Sequence, residues 1–185
     1  GEDTCYDVSF EKLGADSLRW CHLRAYDKEN YQFTENGVNL RGNHYTLDDV
    51  DAPTFLGVRQ SEFDTTLDIT VGGNSPEAGI TFYLCEDHHY DLYLTQKDGV
   101  KKAELRLTTG DAQCVKASKA LGEGQQEVSF HVESEGEFYT FFAELAGESV
   151  ELGKARTKYL SSEVAGGFTG TVMAMYAINP QEDKD

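Results

Sequence analysis

Residues 78–96, AGITFYLCEDHHYDLYLTQ, decide the fold, because apolar side chains recur at every second position on both sides of a polar centre. Successive side chains of a β-strand point to opposite faces of its sheet. The stretch therefore predicts two strands that each turn one face toward a core. The side chains expected to face inward are Ile80, Phe82, Leu84, Tyr90, Leu92 and Leu94.

The same period of two recurs along most of the chain. It is present at residues 62–71, 101–109 and 126–133. Residues 137–145, EFYTFFAEL, are apolar at positions of both parities and are predicted to form a central strand. Only residues 114–121 have a weak helical spacing. About a dozen short strands without a long helix indicate an all-β fold, a two-layer antiparallel β-sandwich of jelly-roll type that occupies 1–185 as a single domain.

The chain is strongly acidic. Its 185 residues include 33 Asp and Glu against 16 Lys and Arg, which gives a formal net charge of −17. Such a field repels phosphate backbones and anionic lipid, so we expect neither nucleic acid nor a membrane as a partner. The sequence has no run of about 18 apolar residues that could span a bilayer, and its first residues lack a signal-peptide pattern.

No motif typical of a catalytic site is found in the sequence. It has no glycine-rich phosphate loop, no Cys-x-x-Cys pair and no nucleophile elbow, and its carboxylates are scattered. We therefore expect no catalytic residue in this chain. His88 and His89 are adjacent and would point to opposite faces of a strand, so a metal ion shared between them would need a turn there.

The four cysteines, Cys5, Cys21, Cys85 and Cys114, allow three pairings that the sequence does not distinguish. Cys85 lies within a predicted strand, where either a small buried thiol or a disulfide fits. The redox compartment therefore stays open, with an extracellular location favoured and a cytoplasmic one not excluded.

One face of the two predicted strands combines rings with hydrogen-bonding groups. Tyr83, His89, Asp91 and Tyr93 point away from the expected core. Proteins hold pyranose rings with aromatic platforms beside polar groups, so this face is a candidate carbohydrate-binding surface. A solvated sheet surface would have the same composition, and both interpretations stay open.

Four stretches together resemble a known family. They are LRWCHLRAYDKENYQF (18–33), PTFLGVRQSEFDTTLDITV (53–71), EAGITFYLCEDHHYDLYLT (77–95) and GGFTGTVMAMYA (166–177). In this order they are similar to the C-terminal concanavalin A-like β-sandwich of family 43 glycoside hydrolases, the β-xylosidase and α-arabinofuranosidase group. The resemblance extends over residues 5–177, nearly the whole chain.

The resemblance implies that catalysis and the completion of the active site are carried out by different domains. In that family a five-bladed β-propeller carries the catalytic acidic residues, and a loop of the sandwich brings an aromatic residue to the mouth of the active site. By its place in the motif this residue is Phe168, between Gly166-Gly167 and Gly170, which leave the loop backbone free. In the alternative interpretation, Phe168 folds back as a lid on its own core.

The resemblance also implies a structural Ca²⁺ in related sandwiches, held by oxygen ligands from both ends of the chain. Asp7 is the N-terminal candidate here, and no other cofactor is expected. The family's last strand returns beside the N-terminal strand, whereas this sequence stops at INPQEDKD (178–185). That ending weakens the expected calcium site and leaves open what covers the sheet edge.

The resemblance therefore predicts a non-catalytic accessory domain of a glycoside hydrolase that acts on xylan-derived oligosaccharides, with Phe168 completing the active site of a neighbouring propeller. The expected partners are that propeller and xylan or xylo-oligosaccharides. Two other functions stay open. One is an independent carbohydrate-binding module that uses the face of Tyr83 and Tyr93. The other is a purely structural domain that stabilises a propeller or an oligomer interface.

Overall fold

The computed structural model describes residues 3–11, 20–21, 31–34, 37–41, 46–48, 54–59, 65–161 and 171–180. Side chains are described at 46–48, 66–161 and 171–180. The described residues form fourteen β-strands and one short 3-10 turn, Thr157–Leu160. Within these ranges there is no helix long and apolar enough to cross a membrane.

The fourteen strands follow one another along the chain. They are β1 (Asp3–Glu11), β2 (Trp20–Cys21), β3 (Tyr31–Thr34), β4 (Gly37–Arg41), β5 (Thr54–Arg59), β6 (Thr65–Gly73), β7 (Glu77–Cys85), β8 (His88–Lys97), β9 (Val100–Thr109), β10 (Ala112–Ala120), β11 (Val128–Glu135), β12 (Phe138–Leu145), β13 (Glu148–Arg156) and β14 (Val172–Ile178).

Two seven-stranded sheets form the two layers of the molecule. The first sheet has the order β13-β12-β11-β6-β1-β4-β3, and the second has the order β10-β9-β8-β7-β14-β5-β2. Every described pairing is antiparallel. The predicted all-β, two-layer antiparallel sandwich is therefore confirmed.

The core lies between the inner faces of the two sheets. All six side chains that the opening stretch predicts to face inward are buried there. The ring of Phe82 is 1% exposed and lies 4.6 Å from that of Tyr139 and 5.9 Å from that of Phe141, both on the opposite sheet. Period-two alternation thus identifies the core face correctly. The two-layer sandwich predicts Trp20 in this core as well, but its side chain lies outside the described residues.

One local prediction is confirmed and one is wrong. Strand β12 is a central strand, paired with β11 on one side and β13 on the other. Its residues Tyr139 and Phe141 face the core, and Phe138 on the outer face is 36% exposed. Residues 114–121 are not helical. Residues 112–120 form the edge strand β10, where pairing with β9 overrides the weak local spacing and a bulge between Val115 and Ala117 shifts the register.

We predict that Phe82→Ala lowers the free energy of unfolding by about 3–5 kcal/mol, because it removes a ring packed between the sheets. Phe138→Ala is the matched control. It deletes the same side chain from a 36% exposed position on β12 and should cost less than about 1 kcal/mol. Urea denaturation of both variants measures the difference, and equal losses would contradict the assignment of the core face.

Candidate functional site

The outer face of the second sheet is the most distinctive part of the described structure. Tyr83, His89, Asp91 and Tyr93 share this face, as the sequence predicts, but all four are buried. The two tyrosines belong to a second apolar cluster, which also contains Leu47 and the β14 residues Ala174, Tyr176 and Ile178. The interpretation as a solvated sheet surface is therefore wrong, because another part of the chain covers the sheet here.

Burial also bears on what these residues can contact. Tyr83 is 5% exposed and Tyr93 is 2% exposed, so neither ring offers much open area to a pyranose. Tyr83 stacks on the imidazole of His89 with the ring centroids 5.6 Å apart. Carbohydrate binding by the four residues stays a prediction.

Asp91 is the centre of a buried polar cluster. Its Oδ1 accepts a hydrogen bond from the hydroxyl of Thr81 at 2.8 Å and lies 2.7 Å from His89 Nδ1. Its Oδ2 accepts a hydrogen bond from Arg106 Nε at 2.8 Å. Thr81 and Arg106 are the register partners of Asp91 on the two neighbouring strands, so the three residues form one row across β7, β8 and β9.

Arg106 extends the cluster along the sheet. Its two terminal nitrogens donate to the two carboxylate oxygens of Glu77 at 2.9 and 2.8 Å, which is the bidentate geometry that arginine favours. The hydroxyl of Tyr176 donates to the same carboxylate at 2.9 Å. The guanidinium carbon lies 4.7 Å from the centroid of the Tyr93 ring, so the cation also contacts an aromatic face.

His89 connects this cluster to a distant part of the chain. Its Nε2 lies 2.7 Å from Asp48 Oδ1, and Gln113 Nε2 on β10 donates to the same carboxylate at 3.1 Å. The neighbouring Leu47 is 1% exposed in the apolar cluster. Residues 46–48 are therefore attached to the outer face of the sheet by the apolar contact of Leu47 and by the ionic and hydrogen-bonding contacts of Asp48.

The electrostatics of the cluster favour a charged histidine. Burial alone would lower the pKa of His89, but the charge of Asp91 and the hydrogen bond to Asp48 outweigh it and raise that pKa from 6.5 to about 9. Burial would raise the pKa of Asp91, but His89 and Arg106 hold it below the usual 3.8. The hydrogen bond from His89 likewise lowers the pKa of Asp48.

The contacts of this cluster suit a structural role in the fold rather than proton transfer to a substrate. Both ring nitrogens of His89 are engaged by carboxylates, and both oxygens of Asp91 accept hydrogen bonds from the protein. A general acid or base must have an atom within reach of its substrate. The cluster instead fixes three strands and residues 46–48 against one another.

A cleft of about 400 Å³ opens between the edges of the two sheets, at β10 and β13. Its charged lining residues in the described structure are all cations: Lys116, Lys154 and Arg156. The rings of Phe138 and Tyr159 also line it and are 36% and 44% exposed. Sequence reasoning missed the cleft, because its residues come from separate strands and share no linear pattern.

Other residues singled out by the sequence are placed less fully. Phe168 lies outside the described residues. Asp7 lies in β1, where its backbone is the register partner of Gly37 and Thr70, but its side chain is not described. One group of metal-ligand side chains converges within the described part of the chain: the ligand atoms of Cys85, Asp87 and His88 lie within 4.8 Å of one another.

We predict that His89→Gln lowers the free energy of unfolding at pH 6 by about 3 kcal/mol, because the buried Asp91 carboxylate loses a charged partner. A histidine with a raised pKa stabilises the fold fully below its unfolded pKa of 6.5 and loses this contribution as the pH rises to about 9. The unfolding free energy of the wild type should therefore fall over this interval relative to that of the variant.

His131→Gln is the matched control for this pH series. His131 also contacts two carboxylates, those of Asp68 and Glu133, but its side chain is 33% exposed. A pair so accessible to water is worth at most about 1 kcal/mol. Urea denaturation across the interval measures all three proteins, and parallel pH profiles for the wild type and His89→Gln would contradict the prediction.

Comparison with known proteins identifies relatives of this chain. The chain is 32% identical over 177 residues to the non-reducing end alpha-L-arabinofuranosidase BoGH43B of Bacteroides ovatus, a match that covers 92% of this chain and 33% of that protein. The solved structure of Bacteroides ovatus xyloglucan PUL GH43B is similar with a TM-score of 0.79 at 32% identity, over 93% of this chain and 34% of that one.

A more distant solved structure shares the fold. The crystal structure of a GH43_12 from a capybara gut metagenome has a TM-score of 0.80 at 22% identity, over 91% of this chain and 34% of that one. The chain thus spans about a third of the length of the relatives it matches. The family model for the beta xylosidase C-terminal concanavalin A-like domain matches residues 9–185, and the chain belongs to this family.

Proposed function

We propose that this chain is the non-catalytic C-terminal accessory domain of a family 43 glycoside hydrolase that acts on xylan-derived oligosaccharides. The observation that carries the proposal is the coverage of the matches: nearly the whole chain aligns with only a third of an arabinofuranosidase. The remaining two thirds of such a protein are the place for a catalytic propeller, which is then the principal partner of the sandwich.

The chemistry of glycoside hydrolysis supports this division. It needs two carboxyl groups that flank one glycosidic bond, one of which delivers a proton to the leaving oxygen. In the described part of the sandwich, the buried carboxylate of Asp91 and the largely buried one of Glu77 are held by Arg106, and Asp91 also by His89. These two groups are engaged within the protein, which supports a catalytic pair on the partner domain.

Phe168 is the residue through which the accessory domain would act on the substrate. In the sequence, Phe168 is flanked by Gly166, Gly167 and Gly170, residue types that permit the backbone conformations needed to present an aromatic side chain. An exposed phenylalanine ring loses contact with water when it closes a neighbouring pocket, which stabilises the bound sugar and the domain contact together.

In the full-length hydrolase, we predict that Phe168→Ala lowers kcat/KM for xylo-oligosaccharides on the order of tenfold, because the pocket loses one wall. The melting temperature of the 185-residue chain should stay the same. Val100→Ala, at a side chain 50% exposed, is the control and should change neither quantity. The 185-residue chain alone should release no sugar.

The opposite pattern would contradict the role of Phe168. If the ring packs on its own core, the substitution should cost about 3–5 kcal/mol of unfolding free energy in the isolated chain. Turnover of an aryl xyloside or arabinofuranoside by the isolated chain would contradict the non-catalytic assignment itself.

The cleft at β10 and β13 favours a second function, an independent carbohydrate-binding module. Two exposed rings beside three cations suit a sugar that carries a carboxylate, such as a glucuronic acid branch of xylan. The whole chain has a net charge of −17, so a cleft whose charged lining residues are three cations is unusual for it. The floor of the cleft is ordered by Tyr90, whose hydroxyl donates to the carbonyl oxygen of Arg156 at 2.7 Å.

We predict that the chain is retarded in an affinity gel that contains xylan with glucuronic acid branches, and less in one with neutral arabinoxylan. Lys154→Gln should reduce the retardation, because it removes a cation of the cleft. Lys119→Gln changes the net charge equally at an exposed position of β10 outside the cleft lining and is the matched control. Equal mobility of the two variants in both gels would rule out binding in the cleft.

A further inference from the structure

The hairpin between β7 and β8 brings three different metal-binding side chains together. Strand β7 ends at Cys85, and β8 begins at His88, its register partner. A two-residue turn, Glu86 and Asp87, connects them. The amide of Gly110, in the turn between β9 and β10, donates to the carbonyl oxygen of Asp87 at 2.7 Å and braces this turn. The ligand side chains therefore lie on a turn whose backbone is hydrogen-bonded to a neighbouring turn.

The donor atoms are spaced much as a metal ion requires. Cys85 Sγ lies 3.0 Å from Asp87 Oδ1 and 3.7 Å from His88 Nδ1, and Asp87 Oδ1 lies 2.9 Å from His88 Nδ1. Around a tetrahedral Zn²⁺ with bonds of about 2.0 to 2.3 Å, ligand atoms are separated by about 3.3 to 3.6 Å. Side-chain adjustments of about half an ångström would convert the present triangle into three corners of that tetrahedron.

We propose that Cys85, Asp87 and His88 form a transition-metal site that binds Zn²⁺ with three protein ligands and one water. A thiolate and an imidazole select a borderline-soft ion and exclude Ca²⁺ and Mg²⁺, which take oxygen ligands. The fourth coordination position faces solvent on the side of Asp87, whose side chain is 60% exposed. On the other side, the side chain of His88 is 15% exposed. His89 is not a ligand here: it follows His88 within β8, and its ring nitrogens contact Asp91 and Asp48 instead.

The same three residues do not form a nucleophilic triad. Such a triad uses both ring nitrogens of the histidine, one toward the thiol and one toward the carboxylate. Here Cys85 Sγ and Asp87 Oδ1 both approach Nδ1 of His88.

Metal binding at this site has a defined proton balance. The thiol of Cys85 loses its proton to the buffer as the sulfur–zinc bond forms, and no electron is transferred. Cys85 and Cys114 both carry free thiols, so either could bind a thiophilic ion, but only Cys85 has a histidine and a carboxylate beside it among the described residues. This site is independent of the accessory function proposed above.

Titration of the reduced 185-residue chain with Co²⁺ tests the site, because thiolate ligation gives a near-ultraviolet charge-transfer band. We expect the band in the wild type and in Cys114→Ser, its abolition by Zn²⁺, and its absence in Cys85→Ser. His88→Ala and Asp87→Asn should weaken Co²⁺ binding on the order of tenfold or more, since each removes a ligand. His131→Gln, the control at another histidine beside carboxylates, should bind as the wild type does.

Two further measurements assign the site. Zn²⁺ should protect Cys85, but not Cys114, from alkylation, as mapped by peptide mass spectrometry. Calorimetry in two buffers of different ionisation enthalpy should find about one proton released per Zn²⁺. Circular dichroism of each variant verifies its fold. A band that persists in Cys85→Ser, no band in the wild type, or unchanged affinity in both well-folded His88→Ala and Asp87→Asn would overturn the proposal.

Discussion

Asp91 is a carboxylate without access to water in the middle of a β-sheet, and the second sheet depends on how its charge is satisfied. An isolated charge would be too costly at such a position, because burial removes its hydration. Thr81 and Arg106 donate to it from the two adjacent strands, and His89 contacts it from its own strand. Losing any one partner would leave a buried charge incompletely compensated.

This requirement also fixes the register of the sheet. Thr81, Asp91 and Arg106 are direct register partners, and a slip of one residue would move each to the opposite face. Gly79 adds a steric constraint, because a Cβ there would lie 2.1 Å from the backbone oxygen of Leu92. The inner face alone would tolerate many apolar side chains of similar volume, so the outer face supplies much of the specificity.

One face of the sandwich is therefore held by ion pairs between side chains, and one cleft is open to solvent. Three strands and residues 46–48 are attached to one another around His89, Asp91 and Arg106. The cleft lies at the β10 edge of this sheet, beside β13, where side chains are exposed. A sheet held by ion pairs beside an edge with exposed side chains is compatible with the accessory role proposed above, because positioning requires stiffness and contact requires exposure.

The sequence by itself determined most of the strands, the two layers and the side chains that face the core, because period-two alternation is a local property of the chain; the edge strand β10, with its weak helical spacing, was not determined in this way. It also placed Tyr83, His89, Asp91 and Tyr93 on one common face. Only the tertiary structure decided that this face is buried. Alternation states which side of a strand a residue occupies, but coverage depends on segments far away in the sequence, such as the one that carries Asp48. The cleft cations likewise come from strands that are neighbours only in the folded chain.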